Sequence, residues 1–407
     1  MVVSSAYKKN DFSFAIFFLF LVEMAFMISD YKVLCNKVSA AISLILLVAF
    51  LAKCVFCGLK KVDLAFIICL VLFTFYYFLS AIVYTKELSE IVEELLYYLI
   101  EFSPLFFFFY LRKHSSYRGK RMLIVSFFLI WNVFSIISLF YFHNRPDLAR
   151  DMAANRNHYY DLVIGGGYPM GYGSAILSVF VLEMIMNKKI RGRMLFFSIA
   201  EIVLMTFLVI ETHSFIILVS EIFGLLACLI FCRAKKKLQK ITLILPLLVF
   251  FAFLIIVQGQ KIMLFLMDNI NDSFFESRVS ELYNYLYLDS VNYHINARSS
   301  VYSTSLNAFL SNPLFGVGDS SGDHSTILDT LAQFGIFGSI PFFFFCFYPL
   351  LKNIEQKRTS FYLIPFAIML LLNPVFSCFH IMLILYLIIP SAQDFFDNKY
   401  ENAVCNR

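Results

Sequence analysis

Arg156, Arg298 and His324 are the residues of this 407-residue chain best suited to chemistry. An arginine presents a planar fork of donors that grips a phosphate or diphosphate through two bonds at once. A neutral histidine near pH 7 accepts a proton from a hydroxyl. Arg298 and His324 share one polar interval, from about Gln258 to Ser325, in a sequence that is otherwise almost continuously apolar. The interval also holds Arg278, the run Asn312-Pro313-Leu314-Phe315-Gly316-Val317-Gly318, and Asp319, Asp323 and Ser325. Arg156 lies in a shorter polar interval, followed by Gly165-Gly166-Gly167-Tyr168-Pro169.

Local signals place these residues at helix ends and turns. Three glycines before a proline give a flexible turn, and Pro169 opens the next helix, where its missing N–H costs little. Exposed N–H groups at such a turn bind an anion; an ordinary flexible loop is the competing reading. In the larger interval, Arg298 precedes a mixed pattern of Val301, Leu306, Phe309 and Leu310. It predicts a helix lying at the outer membrane interface and ending at Asn312-Pro313. Gly316 and Gly318 permit tight turns. Asp323 or Ser325 then caps an apolar helix beginning near Thr326. His324 so falls at a helix N-terminus, whose field favours the neutral imidazole and a nearby phosphate. A purely structural histidine is the bland alternative.

The elements that carry these groups are membrane helices. The chain is 60% hydrophobic and contains 50 Phe and 23 Tyr, whereas soluble domains are nearer half apolar. Apolar runs approach the length that crosses a bilayer as a helix, and the short alternating segments of a membrane barrel are missing. The fold class is therefore all-α, a single polytopic membrane domain over 1–407. Twelve spans can be drawn: 12–29, 39–57, 62–84, 92–111, 122–142, 169–187, 194–212, 214–232, 241–258, 326–350, 360–374 and 377–391. The last two also fit one re-entrant hairpin around Asn373-Pro374.

The positive-inside rule orients the spans. With the N-terminus inside, clusters such as Arg112 to Arg121, Lys188 to Arg193 and Arg233 to Lys240 all fall on the cytoplasmic side. Both termini are then cytoplasmic, and two long loops, 143–168 and 259–325, face outward. Every external arginine (Arg145, Arg150, Arg156, Arg278 and Arg298) lies in those two loops. They either bridge to Asp147, Asp151, Asp161, Glu276 and Glu281, or they meet an anion arriving at the outer face.

Other features narrow the class. No soluble basic domain or recognition motif supports nucleic-acid binding. The nine cysteines sit mostly in or beside apolar runs, which argues against a disulfide framework. Cys54 and Cys57 form a lone CxxC that reads as membrane packing. Glu23, Glu101, Glu183, Glu201 and Glu221 fall within apolar helices, where carboxylates are costly and usually paired or functional. Glu183 is expected to snorkel or pair with Lys188. Glu201 and Glu221, on adjacent helices, are placed to share partners or protons, which keeps a transporter reading open. No internal repeat of the kind common in transporters is visible. Tyr283, Tyr285, Tyr287, Tyr293 and Tyr302 form an interfacial belt or stack on sugar faces.

Several of these segments together resemble one family. Ala297-Arg298, the Asn312 to Gly318 run, His324-Ser325 and Leu331-Ala332-Gln333-Phe334-Gly335-Ile336-Phe337-Gly338 are similar to the signature region of the O-antigen polymerase and O-antigen ligase superfamily. Arg156-x10-Gly167 resembles an arginine motif of the polymerases. Thr212-His213-Ser214 resembles a Thr-x-Ser-Arg element, with Phe215 in place of the arginine. The specific match covers 297–338, and span number and loop position extend the likeness along the chain.

The resemblance implies a GT-C-like membrane glycosyltransferase at the outer face of the cytoplasmic membrane. Its substrate would be an oligosaccharide carried on polyprenyl diphosphate, with no nucleotide sugar, metal or other cofactor. A polymerase moves the growing glycan onto the next lipid-linked repeat unit of an O-antigen or capsule; a ligase moves it to lipid A core. By the same resemblance, Arg156 and Arg298 hold the diphosphate, with Arg278 a further candidate. Gly167, Gly316 and Gly318 line the substrate site, and His324 orients or deprotonates the acceptor hydroxyl. The implied partners are the lipid bilayer, a chain-length regulator and a flippase of the same pathway. A flippase of lipid-linked oligosaccharide is the rival from another class; it would line a central cavity with charge and need no large external loop.

Overall fold

The computed structural model describes residues 14–29, 32–57, 61–84, 87–112, 117–146, 148–153, 165–232, parts of 260–284, 293–318, 325–355, 360–373, 375 and 378–405. Among the described residues helices are the sole regular structure. Eight helices are long and apolar enough to cross a membrane, and 14–28, 215–231 and 363–372 are shorter apolar helices. The described residues are thus all-helical, with the helices of a multi-pass membrane protein. The expected span over 241–258 lies outside the described residues.

In order, the helices are α1 (Phe14–Ile28), α2 (Lys32–Cys57), α3 (Lys61–Val83), α4 (Leu88–Arg112), α5 (Tyr117–Asn144), α6 (Leu148–Ala153), α7 (Tyr168–Met186), α8 (Arg193–Glu211) and α9 (Phe215–Phe231). After them come α10 (Tyr293–Ser311), α11 (Thr326–Glu355), α12 (Leu363–Leu372) and α13 (Phe379–Met382). α13 continues through a π-helical turn, Leu383–Ile388, into α14 (Ile389–Cys405).

Helix ends sort to two ends of the bundle. At one, the N–H of Gly165 before α7 donates to Ser29 after α1 (2.9 Å), and the His380 ring at the start of α13 lies 3.4 Å from the Ile28 carbonyl. At the other, Lys120 of α5 pairs with Asp394 (2.7 Å), and Lys189, just after α7, pairs with Asp397 (2.5 Å). Gly165 and the start of α11 thus lie at the first end, the latter through the bond from Thr326 N–H to Asn373 O (3.2 Å). α12 has ten residues, about 15 Å of helix, too short to cross the roughly 30 Å core alone. It runs from Glu183 of α7, whose carboxylate accepts the Phe361 N–H (3.0 Å), to the start of α11, where Asn373 accepts from Thr326. Asn373 to Cys378 thus joins two antiparallel helices.

The core is apolar and aromatic. Phe20 stacks on Phe107 with ring centres 4.0 Å apart, and Phe73 meets Tyr98, Phe334 and Phe342 between α3, α4 and α11. Every side chain of the π-helical turn is buried. Exposed apolar residues such as Phe75, Phe196, Phe197 and Phe207 are what a lipid-facing surface requires, since lipid is as apolar as they are.

Carboxylates within the bundle have local partners. Glu183 is buried and bonded to the Phe361 main chain, and does not snorkel. Glu201 accepts from Asn132 Nδ2 of α5 (2.8 Å), whereas Glu221 accepts from the Thr206 hydroxyl of α8 (2.9 Å), so the two carboxylates bond to different side chains. Glu23 of α1 is fully buried and accepts from the Ser43 hydroxyl of α2.

Candidate functional site

Residues 312–318 dock against a break in α11. α11 is interrupted at Gly335 (φ 59°, ψ −168°), near the middle of its membrane-crossing stretch Thr326–Phe344. Such a break strands main-chain groups that would otherwise bond one turn away, and lipid cannot satisfy them. The run after α10 supplies the missing partners. Val317 N–H donates to Ala332 O (2.8 Å) and Gly318 N–H to Gln333 O (3.0 Å). In return, Ile336 N–H donates to Pro313 O (2.9 Å) and Phe337 N–H to Leu314 O (3.1 Å). The loop thus wedges into the helical ladder and takes up both of its broken rungs.

Side chains complete the repair. Tyr76 Oη of α3 lies 2.7 Å from the carbonyls of both Phe334 and Phe315. The Ser339 hydroxyl donates to Thr330 O across the break (3.0 Å). Tyr84, just past α3, donates to Gly316 O and accepts from Asn312 Nδ2 (3.1 Å). Glycines make the contact possible. Gly316 and Gly318 have φ of 73° and 78°, a region that disfavours side chains. A Cβ on Gly318 would lie 2.1 Å from the Tyr84 ring, and one on Gly338 2.2 Å from the Tyr76 ring. Gly316 and Gly318 were expected to line a substrate site. Here both are buried, and their N–H groups donate to Asn312 O and Gln333 O.

The N-terminus of α11 is capped by Ser325, one of the two expected caps. Its Oγ accepts from Leu328 N–H (3.4 Å), and its N–H donates to Asp329 Oδ2 (2.9 Å). Thr326 is tied to the α12–α13 junction, its hydroxyl donating to Asn373 O (2.9 Å) and accepting from Val375 N–H (2.6 Å). With these donors committed inside the protein, and the Asp329 carboxylate already in the first turn, the expected phosphate seat does not fit this helix start.

α10 packs beside that N-terminus. Ser305 Oγ donates to Asp329 Oδ1 (2.7 Å), and Tyr302 Oη to Leu372 O at the end of α12 (3.2 Å). Tyr302 therefore caps a helix end. Arg298 lies in α10, seven residues before Ser305; only its main chain is among the described features. His324 directly precedes Ser325 but, like Arg156 and Arg278, lies outside the described residues. The structure thus brings the Arg298 helix against the helix that begins just after His324.

Gly167 is placed elsewhere, as the residue before α7, with Pro169 in the first turn as expected. The three-glycine turn, open in the sequence to reading as an anion-binding turn or a flexible loop, is buried and packed near Ser138, Met170 and the Ala149 carbonyl. At the start of α9, Ser214 is extended and His213 has a positive φ of 51°, so Thr212-His213-Ser214 forms the tight turn between α8 and α9. Among the described residues no three His, Cys, Asp or Glu side chains stand together to hold a metal.

Fold and junction together define a multi-pass helical membrane protein with a broken helix docked by its own upstream loop. Neither the protein-family models nor the curated proteins contain a match to this chain.

Proposed function

We propose that the protein is a membrane glycosyltransferase with a GT-C-like fold and twelve spans, both termini cytoplasmic. It polymerises lipid-linked oligosaccharide repeat units, of O-antigen or capsule, at the outer face of the cytoplasmic membrane. The observation that carries this reading is the junction of α10 with the N-terminus of α11, which joins the Arg298 helix to the residue following His324.

In this reading the acceptor hydroxyl oxygen attacks the anomeric carbon of the donor glycan. The bond from that carbon to the phosphate oxygen breaks, and the leaving polyprenyl diphosphate keeps the electron pair. Arg298 and Arg156, with Arg278 as a further contributor, meet the charge that develops on the diphosphate. His324 takes the hydroxyl proton, or orients the hydroxyl, in the manner of a general base. The arginine side chains carry this task because the N–H groups of Ser325, Thr326 and Leu328 are already bonded within the protein.

Deleting the gene tests the reading in cells. Surface lipid is expected to carry at most one repeat unit. Long glycans accumulating on the polyprenyl carrier would mark a ligase, and repeat units held at the cytoplasmic face would mark a flippase.

A further inference from the structure

We propose that Asp329 is a positioning residue that holds α10, the helix that carries Arg298, in register with Ser325, the residue that follows His324 in the sequence. The inference rests on the glycosyltransferase reading for its consequence and on geometry for its substance. A serine cap needs only its own Oγ to serve a helix start, and Ser325 already does so. Asp329 adds a second layer. One carboxylate oxygen receives the Ser325 N–H (2.9 Å) and the other receives the Ser305 hydroxyl of α10 (2.7 Å). The two oxygens belong to one rigid planar group, so the Ser325 main chain and the Ser305 side chain are fixed relative to each other.

Both proposed catalytic groups stand close to those anchors in sequence. His324 is bonded covalently to the nitrogen that Asp329 holds. Arg298 lies two turns from Ser305 along one continuous helix, and a helix transmits position along its length. Asp329 is 8% exposed and Ser305 0%, which keeps water from competing for the bridge. In this scheme Asp329 acts through the elements it holds, setting the distance between α10 and the start of α11. Misplacement of reacting groups by about 1 Å can cost on the order of a hundredfold in rate.

The test uses the full chain purified in detergent, with lipid-linked repeat units extracted from cells lacking the gene. Asp329→Ala is expected to lower kcat per folded molecule about a hundredfold while KM for the lipid-linked unit changes less than about threefold. Ser305→Ala, which leaves the Ser325 cap intact, is expected to lower kcat about tenfold. It keeps the test decisive if Asp329→Ala does not fold. The exchanged pair Ser305→Asp with Asp329→Ser restores a carboxylate–hydroxyl bond between the two helices but not the carboxylate bond to the Ser325 N–H, and is expected to recover part of the loss. Unchanged kcat in the single variants would overturn the positioning role. Hydrogen exchange reads the bridge without catalysis: Ser305→Ala should speed exchange over 293–311 and leave 168–186 unchanged. If the wild-type chain polymerises nothing but exchange responds in this way, the enzymatic reading falls and the bridge stands. If exchange over 293–311 does not respond, the bridge falls whatever the activity.

Discussion

Gly316 and Gly335 are packed backbone to backbone: a Cβ on Gly335 would lie 2.5 Å from Gly316 N, and one on Gly316 would lie 2.6 Å from Gly335 N. Both have positive φ. The contact lets the loop before α11 enter the break in α11, and neither residue can carry a side chain there. Gly316→Ala and Gly335→Ala should each destabilise the protein by about 3 kcal/mol, combining left-handed strain with overpacking. The double variant should cost less than the sum, because the first substitution already opens the contact. Thermal unfolding of the detergent-solubilised chain checks both statements.

The Tyr76 hydroxyl serves two carbonyls, Phe315 O in the loop and Phe334 O at the break. Tyr76→Phe keeps the ring and removes the single O–H that the two carbonyls share. The expected cost is about 1–3 kcal/mol, measured by the same unfolding experiment. Thr74→Ala, on the same helix, removes only a hydroxyl bonded to Leu70 O one turn back, and should cost less than Tyr76→Phe.

These two cases show where sequence reasoning stops. The apolar runs forecast the helices, because a bilayer demands long uncharged stretches and leaves that demand written in composition. Ser325 and Pro169 were legible for the same local reason, since caps and first-turn prolines act within one helical turn. The break at Gly335 was not, because its stranded groups are satisfied by residues about twenty positions earlier and by Tyr76 on α3. Gly316 and Gly318 were legible as tight turns, but their docking partners, Gln333, Gly335 and Tyr84, lie on other elements that local sequence does not name. Glu183 bonds to the main chain of Phe361, a contact no charge pattern signals. Asp329 went unnoticed in the sequence because a carboxylate in a first helical turn is commonplace, and its bond to Ser305 crosses between helices. The sequence offered Arg298 and His324 as residue types, whereas the packing of α10 beside the start of α11 rests on the Ser305–Asp329 bond, which no local pattern signals.

Orientation is tested by reporters. An enzyme active only outside the cytoplasm should work when fused near Asn155 or Tyr285 and fail near Lys236. Activity at Lys236 would reverse the bundle and remove the proposed site from the outer face.

The arginines should resist conservative replacement. Lysine keeps the charge of Arg298 but loses its bidentate fork, so Arg298→Lys should lower polymer formation about tenfold or more. Arg298→Ala should be close to inactive, and Arg156→Ala likewise, at normal membrane levels. His324→Gln separates two roles: loss in both His324→Gln and His324→Ala marks a base, whereas retention in His324→Gln alone marks a hydrogen-bonding guide. Wild-type polymer in all of these variants would return both loops to solvated connectors.

The most direct measurement incubates the purified full chain with lipid-linked single repeat units and follows two products together. A polymerase yields a ladder of longer glycans on polyprenyl diphosphate and releases one free polyprenyl diphosphate for each linkage formed. Both products in step, and their joint loss in Arg298→Ala, are the expected result. Wild-type protein that binds the lipid-linked unit but releases no polyprenyl diphosphate and lengthens no glycan would contradict it.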